Sequence, residues 1–166
     1  MGKILRNIIV SVAAVAMLTA CNTSGCTDNQ SSIPLAGFYS YESLSAISVT
    51  KLTIGGVGAP NDSLLLENSS ASQIYLPFRP GETTSAFFIH YGDEGLDDPA
   101  LNDTISFSYD RIPFFASEEC GAMYRYAVKE LSYTRHLIDS VGMVDSTITN
   151  ADVETIRIYF RTQTTE

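Results

Sequence analysis

The chain has 166 residues, of which 45% are hydrophobic, and a formal net charge of −9 at pH 7. A composition this rich in aliphatic and aromatic residues is typical of a globular protein and excludes a largely disordered chain. The acidic balance repels phosphate backbones and anionic lipid headgroups, so it argues against nucleic-acid binding and against a basic membrane-binding patch.

The first twenty residues predict an export signal. Lys3 and Arg6 form a short positive leader, and residues 8–20 form an apolar run. That run is shorter than the roughly 20 apolar residues that a membrane-spanning helix needs, and its length and flanks are typical of a secretory signal peptide. Removal of the signal leaves 146 residues, the size of one ordinary domain. It also removes two of the ten basic residues and none of the nineteen acidic ones, so the mature net charge is −11.

The end of the signal resembles the lipobox of bacterial lipoproteins. Its sequence LTAC contains the aliphatic Leu18, the small Ala20 recognised by the signal peptidase, and then Cys21. The resemblance implies that the Cys21 thiol is joined to a diacylglycerol, that the chain is cut before it, and that the new amino group is acylated. Several acyl chains, at about 0.8 kcal/mol per buried methylene, anchor a protein more firmly than one. The alternative is an ordinary soluble signal peptide with a chance cysteine.

If Cys21 carries lipid, Cys26 and Cys120 are left as a pair in an oxidising compartment. A disulfide between them would close a loop of about 95 residues and contribute about 4 kcal/mol in the chain-entropy model. Two free thiols too far apart to meet are the alternative. Residues 21–32 are small and polar and predict a tether. The predicted organisation is therefore a signal peptide over 1–20, a tether over 21–32 and one folded domain over 33–166.

The folded domain has the period of two that is typical of half-buried strands. In DTISFSYD, Ile105, Phe107 and Tyr109 share one face, and VETIRIYFR near the C-terminus alternates in the same way. Further short runs rich in β-branched and aromatic residues are separated by turn clusters such as GGVGAPND and RPGE. Residues 122–140 predict one long strand or two consecutive strands. The predicted fold is all-β: an antiparallel β-sandwich, immunoglobulin-like in layout, with seven to nine strands. A small closed barrel is the alternative.

Four aspartates stand directly before a serine or threonine that an apolar or β-branched residue follows. This pattern resembles the O-glycosylation acceptor of Bacteroides-type bacteria. The candidate acceptors are Ser63, Thr104, Ser140 and Ser146. The alternative is turn chemistry, in which the aspartate accepts backbone N–H groups at a bend before a strand begins.

The sequence contains no recognised catalytic motif: nucleophile elbow, phosphate loop, HExxH and C-x-x-C are all missing. We therefore predict a protein that is not an enzyme and needs no cofactor. His90 shares a predicted strand face with Ala86 and Phe88, which indicates a core or edge residue. His136 has no candidate metal ligand at helical or strand spacing.

An acidic loop is the best candidate for a metal site, although we predict none. Its carboxylates are Asp93, Glu94, Asp97, Asp98 and Asp103. Calcium favours several carboxylate oxygens on a flexible loop, but the spacing of the known calcium-binding loop is missing. The favoured interpretation is a solvated loop.

Aromatic residues interleaved with polar ones in GFYSYE and IYLPF predict a second candidate surface. Tyr39, Tyr41 and Tyr75 could form a platform on which sugars stack. The alternative is that these residues fill the core of the sandwich.

The segment DTISFSYDRIPFFASEECG, with IDSV and IRIYF after it, resembles a family of small uncharacterised envelope lipoproteins of Bacteroidota. The resemblance implies an envelope protein with no established activity. Surface-exported lipoproteins of these bacteria usually carry acids just after the cysteine, whereas the first acid here is Asp28. This favours the periplasmic face of the outer membrane over the cell surface.

The leading hypothesis is therefore a non-enzymatic envelope lipoprotein that binds a protein partner or assists envelope assembly. The alternative is a glycan-binding accessory of a surface uptake system, and a hydrolytic enzyme is less favoured. Exposure of the three tyrosines on one face would support glycan binding, and isolation of both histidines from acids would argue against an enzyme.

Overall fold

The computed structural model describes residues 32–60, 63–118 and 120–161. In these residues the chain forms ten strands and one short 3-10 helix. The strands are β1 (Leu35–Ser40), β2 (Val49–Gly56), β3 (Leu64–Ala71), β4 (Gln73–Tyr75), β5 (Thr84–Tyr91), β6 (Asp103–Ser117), β7 (Gly121–Tyr133), β8 (Ile138–Met143), β9 (Thr147–Ile148) and β10 (Glu154–Phe160), and the helix is Pro99–Leu101. The predictions at Leu18, Ala20, Cys21 and Cys26 lie outside these residues. Within the described part, no helix is long and apolar enough to cross a membrane.

The strands form two sheets that pack face to face. One sheet has the order β4-β1-β10-β8, and the other has the order β3-β2-β5-β6-β7-β9. Neighbouring strands are antiparallel except for β1 and β10, which run parallel with Ala36 opposite Ile156. The predicted β-sandwich is confirmed, and the two sheets do not close into a barrel. The parallel pair is the exception to the predicted antiparallel arrangement, because a period of two carries no information about strand direction.

Alternation along the strands places the core as predicted. Ile105, Phe107 and Tyr109 are almost completely buried. Phe160 of the four-stranded sheet contacts Tyr91 of the six-stranded sheet, with ring centroids 6.5 Å apart. Each large apolar side chain removed from water in this way contributes about 1.5–3 kcal/mol. The two inner faces thus form one continuous core.

Strands β6 and β7 extend beyond this core. They have 15 and 13 residues and pair with each other over almost their whole length. The partner on the other side of β6 is β5, which reaches only as far as Ser108. Residues 110–118 and 120–125 therefore project as a two-stranded hairpin, which we call the arm. Residues 122–140 were predicted to form one long strand or two consecutive strands. The second alternative is confirmed, because β7 ends at Tyr133 and β8 begins at Ile138.

The sandwich has two chemically different ends. At the arm end, Ser32 and Ile33 line a cavity of about 380 Å³ together with Ala122 and Tyr124, so the chain enters the domain beside the arm. The opposite end, which we call the distal end, contains the loop 92–102, the turn 134–137 and the end of β10. The 15 residues of β6, at about 3.3 Å per residue, separate the tip of the arm from the distal end by about 46 Å.

Candidate functional site

A buried carboxylate organises the distal end. Asp103 is completely buried at the start of β6. Its two oxygens accept five hydrogen bonds of 2.8 Å, from the hydroxyls of Tyr91 and Thr134 and from the backbone N–H groups of His136, Leu137 and Ile138. Each donor is satisfied by an ionised acceptor, so the carboxylate holds the turn between β7 and β8 in one conformation. This arrangement makes the distal turn a rigid base for the side chains that it carries.

Two arginines are held together on that base. The carboxylate of Asp139, only 8% exposed, lies 3.3 Å from Arg135 Nη2 and 3.2 Å from Arg161 Nε. Arg161 also donates a 3.3 Å hydrogen bond to the carbonyl of His136. Both guanidinium groups remain about half exposed. Because one carboxylate serves two guanidinium groups, the cluster carries a net positive charge and keeps free N–H donors toward solvent.

The arginines border two adjoining cavities, which we call the distal groove. One cavity of about 290 Å³ is lined by Tyr91, Leu96, Leu101, Arg135, His136 and Leu137. The other, of about 400 Å³, is lined by residues 93–96 with Leu137 and Arg161. Leu96 and Leu137 belong to both, so the floor of the groove is apolar. Arg135 and Arg161 make one wall basic, and Asp93 and Glu94 of the second cavity make the facing loop acidic. A concave apolar surface with a few fixed polar groups is the usual form of a binding site.

The acidic loop does not gather its carboxylates around one point. Asp93 pairs with Lys51 at 3.1 Å, Asp97 lies 3.2 Å from His90, and Asp98 caps the 3-10 helix by accepting the N–H of Ala100. Asp103 is buried and engaged by the distal turn. Among the described residues no group of three or more histidine, cysteine or acidic side chains is arranged to hold a metal ion. Four of the five acids that the sequence pattern grouped together, Asp93, Asp97, Asp98 and Asp103, therefore have separate structural partners.

His90 lies on the outer face of β5 rather than in the core. Its strand alternates, with Ser85, Phe87, Ile89 and Tyr91 facing inward. The His90 ring bridges two polar neighbours, because Nδ1 is 2.8 Å from Asn102 Oδ1 and Nε2 is 3.2 Å from Asp97 Oδ1. His90 is therefore not a core residue, and β5 is not an edge strand either, because it pairs with both β2 and β6. The contact with Asp97 means that this histidine is not isolated from acids.

The three tyrosines proposed as a sugar platform are spread over a wide surface. Tyr41 and Tyr75 are exposed, but Tyr75 donates a hydrogen bond to Asp152 at the arm end. The hydroxyl of Tyr39 donates a 2.8 Å hydrogen bond to Glu154, which raises the pKa of the tyrosine. The Arg157 guanidinium lies 5.1 Å from the centroid of the Tyr39 ring. A sugar would have to displace that arginine to stack on Tyr39.

The four candidate O-glycosylation residues lie in different environments. Ser63 and Ser146 are exposed, whereas Thr104 and Ser140 are half-buried within β6 and β8. Asp145, before Ser146, accepts the N–H of Thr147 at 2.7 Å, and the aspartate before Thr104 is the buried acceptor of the distal turn. Local capping by aspartate, the alternative drawn from the sequence, thus has direct structural support at Asp145, whereas the backbone N–H groups that Asp103 accepts belong to a turn more than 30 residues away. Modification itself stays a prediction.

Cys120 lies in the turn at the tip of the arm, where its N–H donates a 3.0 Å hydrogen bond to Ser117 Oγ. Cys26 is outside the described residues, so the disulfide stays a prediction.

The distal groove itself was not predicted from the sequence. The one available signal was the spacing of Arg135 and Asp139, but their meeting with Arg161 depends on the pairing of β8 with β10.

A sequence family described as a family of unknown function, DUF6452, matches residues 51–160. The match begins within β2 and ends at the last residue of β10, so it includes the residues of the distal groove except Arg161. No curated protein matches the chain, and no solved structure matches it.

Proposed function

We propose that this chain, which belongs to the DUF6452 family of unknown function, is a non-enzymatic, lipid-anchored envelope protein that binds a protein partner in its distal groove. The observation that carries the proposal is the meeting of Arg135 and Arg161 at one buried carboxylate, directly beside an apolar floor. The expected ligand is a peptide segment with a carboxylate for the arginines and an apolar side chain for the Leu96–Leu137 floor. A ligand without a carboxylate would cover the half-exposed guanidinium groups without offering an acceptor to their free N–H donors, which favours specificity.

The position of the groove supports this role. Loops at one end of a sandwich are the usual place for recognition, since the sheets below hold them rigidly. The groove lies at the end opposite to the one where the chain enters the domain. A partner approaching from the side away from the membrane would therefore meet the groove first.

The anchoring part of the proposal is supported by sequence and by reach. The lipobox-like sequence ends at Cys21, and the tether joins the domain beside the arm. Six residues separate Cys26 from Ser32 and span at most about 20 Å when extended. Ser32 lines the same cavity as Ala122, which is two residues from Cys120. A Cys26–Cys120 bridge would therefore require no rearrangement of the domain. From the sequence after Cys21, we expect the protein at the outer membrane, facing the periplasm.

Photo-crosslinking in the native envelope tests the groove. Benzoylphenylalanine in place of Leu101 lies in the groove, and the same replacement of Leu65, an exposed leucine on β3, is the matched control. We expect one discrete protein adduct from position 101, none of that mass from position 65, and loss of the adduct when Leu96→Asp places a negative charge on the groove floor. Equal labelling from both positions, or an adduct that survives Leu96→Asp, would contradict the proposal.

Glycan binding is the second candidate. The half-exposed Tyr41 and Tyr75 favour it, whereas Arg157 over Tyr39 and the distance between the tyrosines oppose it. Retention of the protein on a polysaccharide array, abolished by Tyr75→Ser and unaffected by Leu96→Asp, would reverse the ranking.

A further inference from the structure

We propose that one face of the arm lies on the lipid bilayer beside the N-terminal anchor. The inference rests on the proposed lipid anchor and assigns the membrane, rather than a protein, to this surface. Beyond the reach of β5 and β9, the two strands of the arm pair only with each other. A two-stranded hairpin is marginally stable in water, yet this one exposes large apolar side chains.

The apolar side chains of the arm form a continuous face. Phe115 is opposite Ala122, and Pro113 is opposite Tyr124, so all four point to the same side of the hairpin. All four are exposed, with Phe115 at 68% and Tyr124 at 43%. We call these four residues the arm face. Aromatic side chains with an apolar body and one polar group are enriched where proteins meet the lipid headgroups.

The charges of the arm are compatible with a bilayer. Arg111 lies over the ring of Tyr124 and donates a hydrogen bond to the carbonyl of Pro80, and Arg125 lies 4.1 Å from the centroid of the Phe114 ring on the other side of the hairpin. Arginines stacked on aromatic rings can extend their charged ends to the headgroups. The acids Asp110 and Glu118 lie at the two ends of the hairpin, outside the arm face. The hairpin would therefore rest along the surface instead of inserting its tip.

The attachment of the chain selects the bilayer as the occupant. Ser32 and Ile33 line one cavity with Ala122 and Tyr124, so the tether joins the domain directly beside the arm face. The 12 residues from Cys21 to Ser32, which are 11 Cα–Cα steps, span at most about 38 Å. An acyl chain on Cys21 would thus hold this end of the domain at the membrane.

The distribution of other exposed apolar residues points in the same direction. Tyr75 at the end of β4, Val144 after β8 and Val153 before β10 are exposed at the arm end, in addition to the side chains of the arm itself. At the distal end the exposed large hydrophobic residues of the described chain are Tyr41 and Leu44. The end nearer the anchor is therefore the more apolar one, as expected if it faces lipid.

Tryptophan fluorescence gives a direct test, because the chain contains no tryptophan. Phe115→Trp and Tyr124→Trp each place one reporter on the arm face, and Tyr41→Trp places a matched reporter at the distal end. The mature lipidated protein is reconstituted in phosphatidylcholine vesicles with or without brominated chains, and its intact mass is measured on the same sample. We expect a blue-shifted emission and about twofold or greater quenching by brominated lipid for both arm variants, with no quenching of Tyr41→Trp.

Each outcome decides a different part of the proposal. If the mass shows Cys21 acylated while both arm reporters remain unquenched, the arm inference is overturned and the anchor stands. If the mass shows an unmodified Cys21, the anchor and the arm inference both fail. Reporters that are unquenched in vesicles but shielded from acrylamide in the native envelope would assign the arm face to a protein partner instead.

Discussion

Replacement of Asp103 by asparagine is the sharpest test of how the distal end is held. One carboxylate oxygen accepts from Thr134 and His136, and the other accepts three donors. Asparagine keeps the same shape but has only one oxygen. Its NH2 group must therefore replace one carboxylate oxygen, and we expect it to replace the oxygen that Thr134 and His136 contact, because that oxygen has fewer donors. The hydroxyl of Thr134 can rotate to accept, whereas the backbone N–H of His136 cannot. Hydrogen bonds to a charged group contribute about 1.5–3 kcal/mol each, and an unsatisfied buried donor costs about 1–3 kcal/mol. We therefore expect a loss of at least about 3 kcal/mol.

Urea unfolding followed by circular dichroism measures this loss in the mature chain carrying Cys21→Ser. A domain of this size unfolds with a total of about 5–15 kcal/mol, so the variant should still fold, with Tm lower by about 6–12 °C. Asp110→Asn is the matched control, because Asp110 is on the same strand but its 2.8 Å pair with Lys129 is exposed. We expect that control to change stability by less than about 0.5 kcal/mol. A loss below about 1 kcal/mol for Asp103→Asn, with an unchanged m value, would refute the role given to this carboxylate.

Three further predictions concern the core and the outer faces. Burial raises the pKa of Tyr91 far above 10.0. The contribution of Tyr91 to the free energy of unfolding is therefore fully present below about pH 10 and should fall by about 1.4 kcal/mol per pH unit above it. Tyr91→Phe should reduce this dependence of the unfolding free energy on pH in urea titrations between about pH 8 and 11. A Cβ on Gly37 would lie 2.0 Å from Glu154 Oε2, so Gly37→Ala should cost about 1 kcal/mol by thermal unfolding, whereas Gly142→Ala, where no atom lies within 4 Å, should not destabilise. Phe78→Ala should cost about 3–5 kcal/mol and Phe78→Leu less than about 1.5 kcal/mol, and equal losses would contradict the packing described for this ring.

The packing of Phe78 explains that difference. Phe78 lies in the connection between β4 and β5 and is 5% exposed. Its ring stacks on Tyr109 with centroids 4.3 Å apart and meets the edge of Tyr126 at 5.4 Å. Leucine would retain most of this apolar contact, whereas alanine would leave a cavity where the connection crosses between the sheets.

The sequence predicted those features that depend on neighbours along the chain. Alternation of side chains identified the buried faces of β6 and β10, and the run TSAFFIHY coincides with β5. The short strands β4 and β9 have three and two residues, too few for a period of two to be recognised. They form because the neighbouring strands β1 and β7 offer backbone partners. The count of ten strands thus exceeds the predicted seven to nine.

The candidate site depended on contacts that no local pattern contains. Acids from residues 93–103 are close in sequence and were therefore grouped, but Asp93, Asp97, Asp98 and Asp103 each contact a different partner. Arg161 meets Asp139 across 22 residues because β10 pairs with β8. The arm face was also not predicted from the sequence, since aromatic residues such as Phe115 and Tyr124 in a strand are usually expected in the core. Only the short reach of β5 leaves them outside the sandwich.

The parallel pairing of β1 with β10 has a consequence for how the protein is made. Strand β1 lies between β4 and β10, so its sheet is incomplete until β10, near the C-terminal end of the chain, has been synthesised. Contacts between residues as distant as Ala36 and Ile156 form slowly, because a long loop must close before they contribute. A nascent chain that still lacks β10 would therefore leave one edge of β1 without its backbone partner.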